Sequence, residues 1–446
     1  MPCFRPVGAA GTGGRDGSRP RTGPRAHAGR RGYADTVDEA GGALPRLSVV
    51  SRRVEPFGAL VPLAEPTRPL LFQRRGDGIV GRGVALRLEF RGPDRIREAA
   101  STWRALTARA TVDDDVRVNG SGLVAFGAFA FDDASEQASV LVVPRVVAGR
   151  RNGEHWVTRV DGADDEIIAP PPGAEYRLRL KPGALDDDGY RALVADAVER
   201  IGRRELEKVV LARDLVGHLP VGADLRRVLT QLSLGYPDTW TFAVDGLVGS
   251  SPETLVRVDE GAVTARVLAG SHARGGDADG DHAAAVELAT STKDLDEHRF
   301  AVESVLAAMR GHVRGLAASE LPYALKLPNL WHLASDVSGT LSDGSGSLDL
   351  AAELHPTAAV AGTPTTAALA AIRDLEPFDR RRYGGPVGWI DADGDGKWAI
   401  ALRSAEVDAD GAITAYAGAG IVADSDPDRE LAETKLKFRP VVEAFG

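Results

Sequence analysis

The chain has 446 residues, a formal net charge of −10 and a pI near 5.5, so its overall field disfavours nucleic acid and anionic surfaces as partners. Hydrophobic residues make up 43% and charged residues 26%, the profile of a soluble globular protein, and no apolar run approaches the roughly 18 to 20 residues that span a bilayer. The single cysteine, Cys3, excludes an internal disulfide and a thiolate-rich metal centre and suits a reducing cytoplasm.

Residues 1–44 are dominated by Gly, Arg, Pro and Ala, and Arg5, Arg15, Arg19, Arg21, Arg25, Arg30 and Arg31 have only Asp16 among them as an acid. Such a segment buries too little apolar surface to offset its ordering entropy, which predicts a disordered tail. It lacks the apolar stretch of a secretory signal; an Arg-rich transit leader is the alternative.

Between 45 and 185 the runs LSVVSRRV, VALRLEF, LVAFGAFAF, SVLVVPRVV and HWVTRV are broken by Gly, Pro and Asp, as in half-buried antiparallel strands. Asp94 to Ala110 reads as one amphipathic helix. No catalytic constellation stands out, so this part is expected to be framework and one wall of a site.

The chemistry thickens in residues 186–446. Asp187 to Arg203 opens on acids and continues with Tyr190, Leu193, Val194 and Val198, a helix entered through an acidic first turn. In the strand Glu207-Lys-Val-Val-Leu-Ala-Arg213, Lys208, Val210 and Ala212 share one face,. An inward, desolvated lysine there can serve as a base; an edge-strand lysine that blocks aggregation is the alternative. Ser251-Pro252-Glu253 puts a carboxylate at a tight turn, and Gly270-Ser271 offers backbone amides to an anion,, though both also fit ordinary turns.

In STKDLDEHRFAVESV, Asp294 and Glu297 sit three apart, and Glu430 and Glu433 repeat that spacing in DRELAETKLKF, with Lys437 one turn further on. On helices each pair shares a face, and two such faces would supply oxygen ligands to a hard divalent cation. Solvated helix surfaces are the competing reading. A lone histidine such as His332 or His355 is more often structural than catalytic,. Asp391-Ala-Asp-Gly-Asp-Gly396 imitates the start of a calcium loop, but position 12 is Leu402 and both flanks read as strands, which predicts a hairpin turn. Ala417-Gly-Ala-Gly-Ile-Val422 places two glycines where bare backbone can approach a ligand,.

Taken in order, EKVVLAR, SPETLVRV, AGSHARG, STKDLDEH, LWHLASDVSG, LHPTAAVAGTP, EPFDRRRYGGPVGWI, ALRSAEV, YAGAGIV and ELAETKLK resemble the chorismate-utilising enzymes, most closely their isochorismate-synthase branch. The resemblance implies an α/β chorismate-binding fold of the α+β type, with antiparallel sheets packed face to face and helices outside. It implies one catalytic domain over 45–446, in a strand-rich part 45–185 and a motif-bearing part 186–446. By the same resemblance Lys208 is the base that activates water and Glu253 the general acid. Arg403, Lys437, His332, Tyr383 and the backbone at Gly270, Ser271, Ala419 and Gly420 cradle chorismate. Glu297 and Glu433 ligate Mg²⁺ directly, while Asp294 and Glu430 hold its waters.

The implied reaction is reversible, Mg²⁺-dependent conversion of chorismate to isochorismate, feeding menaquinone or siderophore synthesis, in a cytoplasmic monomer with no nucleic-acid or membrane partner. Aminating relatives typically lack the lysine, whereas salicylate synthases share it and go on to eliminate pyruvate, so salicylate formation is the alternative. A reading of another class is a non-catalytic calcium-binding module. One departure stands out: His272 occupies a usually arginine position in Gly270-Ser-His-Ala-Arg-Gly275.

Overall fold

Two large sheets stand face to face, and each draws strands from both ends of the chain. The computed structural model describes residues 37–38, 44–164, 167–328 and 330–446, without the side chains of Val37, Asp38, Lys293 and Glu297. Among these residues one sheet has 11 strands and the other 13. Pairing is antiparallel except where Val37–Asp38 meets Leu86–Phe90 and where Ser48–Arg53 meets Thr111–Asp114. Residues 36–446 form one compact unit.

Alternation dictates the layering. Phe126, Val140, Val142 and Trp389 of the first sheet interdigitate with Phe72, Ile79 and Phe242 of the second, the buried interface of a sandwich. The opposite faces carry helices. Trp103 and Leu106 of Arg95–Thr107, with Val305 and Met309 of Thr292–Met309, join Val256, Val258 and Val263 of the first sheet. Val228 and Leu229 of Arg226–Gly235, with Phe438 and Val441 of Pro427–Phe445, cover Ala243, Val248 and Ala415 of the second. The fold is therefore α/β with antiparallel sheets inside and helices outside.

Two prolines mark places where the chain changes sheet. The run SVLVVPRVV, read above as one strand, is two: Ser139–Val143 lies in the first sheet and Val146–Arg151 in the second, with Pro144 between them. Likewise Leu247–Ser251 ends in the second sheet and Thr254–Asp259 begins in the first, so Pro252 and Glu253 form the crossing. Proline cannot donate to a ladder, which suits it to such joints.

The strand Lys208–His218 pairs along its length with Ala412–Ile421, and its other side meets Gly362–Thr363 and Lys181–Pro182. Lys208 is therefore buried on an interior strand, and the edge-strand alternative falls. In the first sheet Ala262–Ala273 pairs with Leu330–Leu341, with an irregularity between Ala269 and Ser271. The Asp-rich segment is the turn of the hairpin Pro386–Asp391 and Gly396–Ile400; Asp391 accepts bonds from the amides of Asp393 and Asp395 at 3.1 and 3.0 Å. Among the described residues no helix is long and apolar enough to cross a membrane.

Candidate active site

Period-two alternation sends Val209 and Leu211 into the main core and turns Lys208 and Val210 toward a cavity of about 570 Å³,. The paired strand contributes Gly418 and Gly420. From the first sheet come Gly270, Ser271 and His332, and from the crossing comes Glu253. Asp294 of Thr292–Met309 and Glu430, Glu433 and Lys437 of Pro427–Phe445 complete much of the wall. The cavity thus gathers groups from both sheets and two helices, none adjacent in sequence to more than a few of the others.

Glu253 is buried inside the sheet crossing. Burial pushes its carboxyl up to about 8, and the cations Lys208, Lys437 and Arg403 only partly offset that,. It therefore holds a proton at neutral pH, as a general acid requires. Burial, with Arg403 and Lys437 nearby, pulls the His332 imidazole well below its usual range, so the ring is neutral. An Arg403 N–H lies 3.4 Å from His332 Nε2, which makes that nitrogen the acceptor. Nδ1–H then faces the Gly270 carbonyl at 3.2 Å and Ser271 Oγ at 2.9 Å,.

Arg403 is buried at a positive φ of 50°, and its Nη1 has no hydrogen-bond partner among the described residues. A guanidinium nitrogen left so is suited to a ligand carboxylate. Lys437 Nζ donates to the Gly418 carbonyl at 2.9 Å and ion-pairs with Glu433 at 2.5 Å. Tyr383 stacks on Tyr416, ring centroids 5.5 Å apart, giving a flat wall. Gly270 has φ +80°, and a Cβ there would stand 3.2 Å from Asp294 Cβ, so the turn and the close approach both require glycine.

Of the fourteen expected positions, twelve line the cavity and two stand apart. Lys208, Glu253, Gly270, Ser271, His332, Tyr383, Arg403, Gly420, Lys437, Asp294, Glu430 and Glu433 all line the cavity. Ala419 does not: its methyl packs in the main core, because alternation gives the cavity face to Gly418 and Gly420. The Glu297 side chain lies outside the described residues.

The donor set fits Mg²⁺ by its chemistry. Asp294, Glu430 and Glu433 supply hard carboxylate oxygens to one cavity, and Mg²⁺ uses few carboxylates and keeps several waters. Among the described residues no three His, Cys, Asp or Glu converge closely enough to hold an ion by themselves, which also applies to the Asp-rich hairpin.

Several cavity residues escaped the sequence reading. Arg380 is buried, ion-pairs with Glu376 at 2.6 Å, and donates to the carbonyls of Val210 and Val360 at 2.6 and 2.9 Å. Glu376 in turn accepts from the Ala212 amide at 2.7 Å. Their i,i+4 spacing was the available signal. Tyr416 and Arg429 also line the wall, beside Gly418, one of the two glycines read above as bare backbone; the period of the Gly420 strand points to Tyr416. His272 lines it as well and lies 3.4 Å from Glu287. His355 is outside the cavity, its Nε2 2.8 Å from the Phe131 carbonyl, a structural role.

A family model described as Chorismate binding enzyme matches residues 45–161 and 168–446. The chain belongs to this family. This chorismate-binding enzyme is 39% identical over 338 residues to the isochorismate synthase DhbC of Bacillus subtilis, covering 72% of this chain and 80% of that one. It is 33% identical over 395 residues to a salicylate biosynthesis isochorismate synthase of Pseudomonas aeruginosa, 82% of each chain. Among solved structures it is similar to MenF, the menaquinone-specific isochorismate synthase from Escherichia coli, with a TM-score of 0.72, 25% identity, and coverage of 90% of this chain and 95% of that one.

Proposed function

We propose that this chorismate-binding enzyme is an isochorismate synthase, an isomerase that converts chorismate reversibly to isochorismate. The observation that carries the reading is the buried Glu253 carboxyl in the same cavity as the inward lysine Lys208, where burial pushes it up to about 8. Lys208 takes a proton from a water whose oxygen forms a bond to C2 of the ring. The double bonds shift, the C4–O bond breaks, and Glu253 gives its proton to the departing hydroxyl, so water is consumed and released in balance. The base stands on a strand of the second sheet and the acid on the crossing between the sheets, separate elements that suit work on opposite sides of the ring.

Arg403, with its unpartnered Nη1, and Lys437 bind carboxylates,. His332, neutral, orients Ser271 and receives Arg403. Glu297 and Glu433 would hold Mg²⁺, with Asp294 and Glu430 on its waters. When bound, the ion supplies positive charge against the ring carboxylate. The same reading places the enzyme in the cytoplasm as a monomer, acting on a small molecule with no nucleic-acid or membrane partner. Whether its isochorismate serves menaquinone or siderophore synthesis is set by the enzyme that consumes it.

Incubation of the purified chain with chorismate and Mg²⁺, followed by product separation, tests the proposal. Isochorismate is expected, with turnover lost on chelation by EDTA and restored by added Mg²⁺. Salicylate plus pyruvate as the main product would replace this function, and anthranilate formed only with ammonia would sink it.

A further inference from the structure

A second pocket, of about 650 Å³, opens elsewhere between the two sheets. Six cations line it, Arg74, Arg75, Arg151, Arg257, Arg266 and Lys397, against two carboxylates, Asp77 and Asp336. That excess of positive charge is out of keeping with a protein of net charge −10.

The local pairing does not neutralise it. Arg266 pairs with Asp336 at 2.7 Å and Arg75 with Asp238 at 2.6 Å. Arg151 and Arg257 share the single carboxylate of Asp259, and Arg257 Nε is buried with no hydrogen-bond partner among the described residues. Arg74 and Lys397 have no carboxylate partner within ion-pair distance among the described residues. Both lie instead over the Trp240 ring, at 5.4 and 5.8 Å from its centroid. A cation–π contact recovers less than a hydrogen-bonded anion offers. Burial and the neighbouring Arg151 and Arg257 push the Lys397 ammonium down to about 7, against the pull of Asp259 and Asp77, and burial with Arg266 and Arg75 lowers Arg74. Crowded, under-compensated cations beside an aromatic wall describe an anion receptor.

We infer that this pocket is a second ligand site, which takes a small oxyanion, carboxylate or phosphate, between Arg74, Arg257 and Lys397 against Trp240. It is separate from the chorismate cavity, with which it shares no lining residue. The two are nonetheless joined along the chain: Thr254, which lines this pocket and accepts from Trp240 Nε1 at 2.8 Å, directly follows Glu253. An occupant would therefore bear on the segment that carries the acid.

Isothermal titration calorimetry of the full chain at constant ionic strength, with inorganic phosphate and separately with benzoate, tests the site. Saturable binding of at least one probe is expected, weakened tenfold or more in both Arg74→Ala and Lys397→Met, held in Lys397→Arg, and unchanged in Arg403→Ala. Phosphate binding alone would assign the phosphate class, benzoate binding alone the carboxylate class. Lys397→Gln provides a second neutral variant if Lys397→Met does not fold. No saturable binding of either probe to the unaltered protein would overturn the inference, as would binding indifferent to the Arg74 and Lys397 changes or lost in Arg403→Ala.

Discussion

At the scale of single residues, Glu253 is where burial becomes chemistry. Its carboxyl is pushed up to about 8, so the acid form is present at neutral pH and is lost as pH rises. Turnover should fall as pH rises through about 8. Glu253→Gln should abolish that limb and lower kcat by about 10²- to 10⁴-fold, which a pH–rate profile would check. The sign for stability is the same: a raised carboxyl favours the folded state fully below its ordinary value near 4.5, and that contribution disappears as pH climbs through about 8. Lys208→Ala should remove turnover to a similar extent while calorimetry still records chorismate binding; normal turnover would overturn the base assignment. Both residues were visible in the sequence, Lys208 because a strand's period put it with Val210, Glu253 because it follows a proline at a turn.

Elements decide whether those two groups meet. The strand carrying Lys208 is held by the Glu376–Arg380 pair, which ties it to the segment at Val360 through two carbonyls and one amide. Both side chains are almost wholly buried. Glu376→Ala should leave Arg380 charged and unpaired, at a cost of about 3–5 kcal/mol, measurable by denaturant unfolding. An unchanged midpoint would show that the brace carries no stability. This pair was not legible beforehand, because an i,i+4 Glu and Arg in a polar stretch read as a solvated surface; only the packing of EPFDRRRY beneath the Lys208 strand makes it a buried tie. In the glycine-rich strand the two glycines read as bare backbone toward a ligand do face the cavity. Its register places Gly418 and Gly420 on the cavity and Ala419 in the core, and a lone sequence does not say which face of a fully buried strand is which.

At the scale of the whole molecule, the sheets interleave the two parts of the chain. Val124–Ala128 pairs with Pro386–Asp391, and Leu70–Arg74 with Trp240–Val244. The strand-rich part is thus woven into the same sheets as the motif-bearing part. The family match begins at residue 45, and the compact unit at Thr36. Deletion of residues 1–35 should therefore leave kcat/KM for chorismate within about twofold and the melting midpoint within about 2 °C; a larger loss would assign the leader a role in folding or catalysis.

The sequence by itself determined the family, the alternating strands, the carboxylate spacing on two helices and which residues are proposed as acid and base, because these rest on local order, residue chemistry and the succession of motifs. Only the tertiary structure decided that Ser251-Pro252-Glu253 is a crossing between sheets, that Lys208 is interior, that Arg403 keeps an unpartnered nitrogen, and that six distant basic residues share a second pocket. Each of those depends on which strands lie side by side, and strand pairing is set by long-range burial that no local pattern encodes.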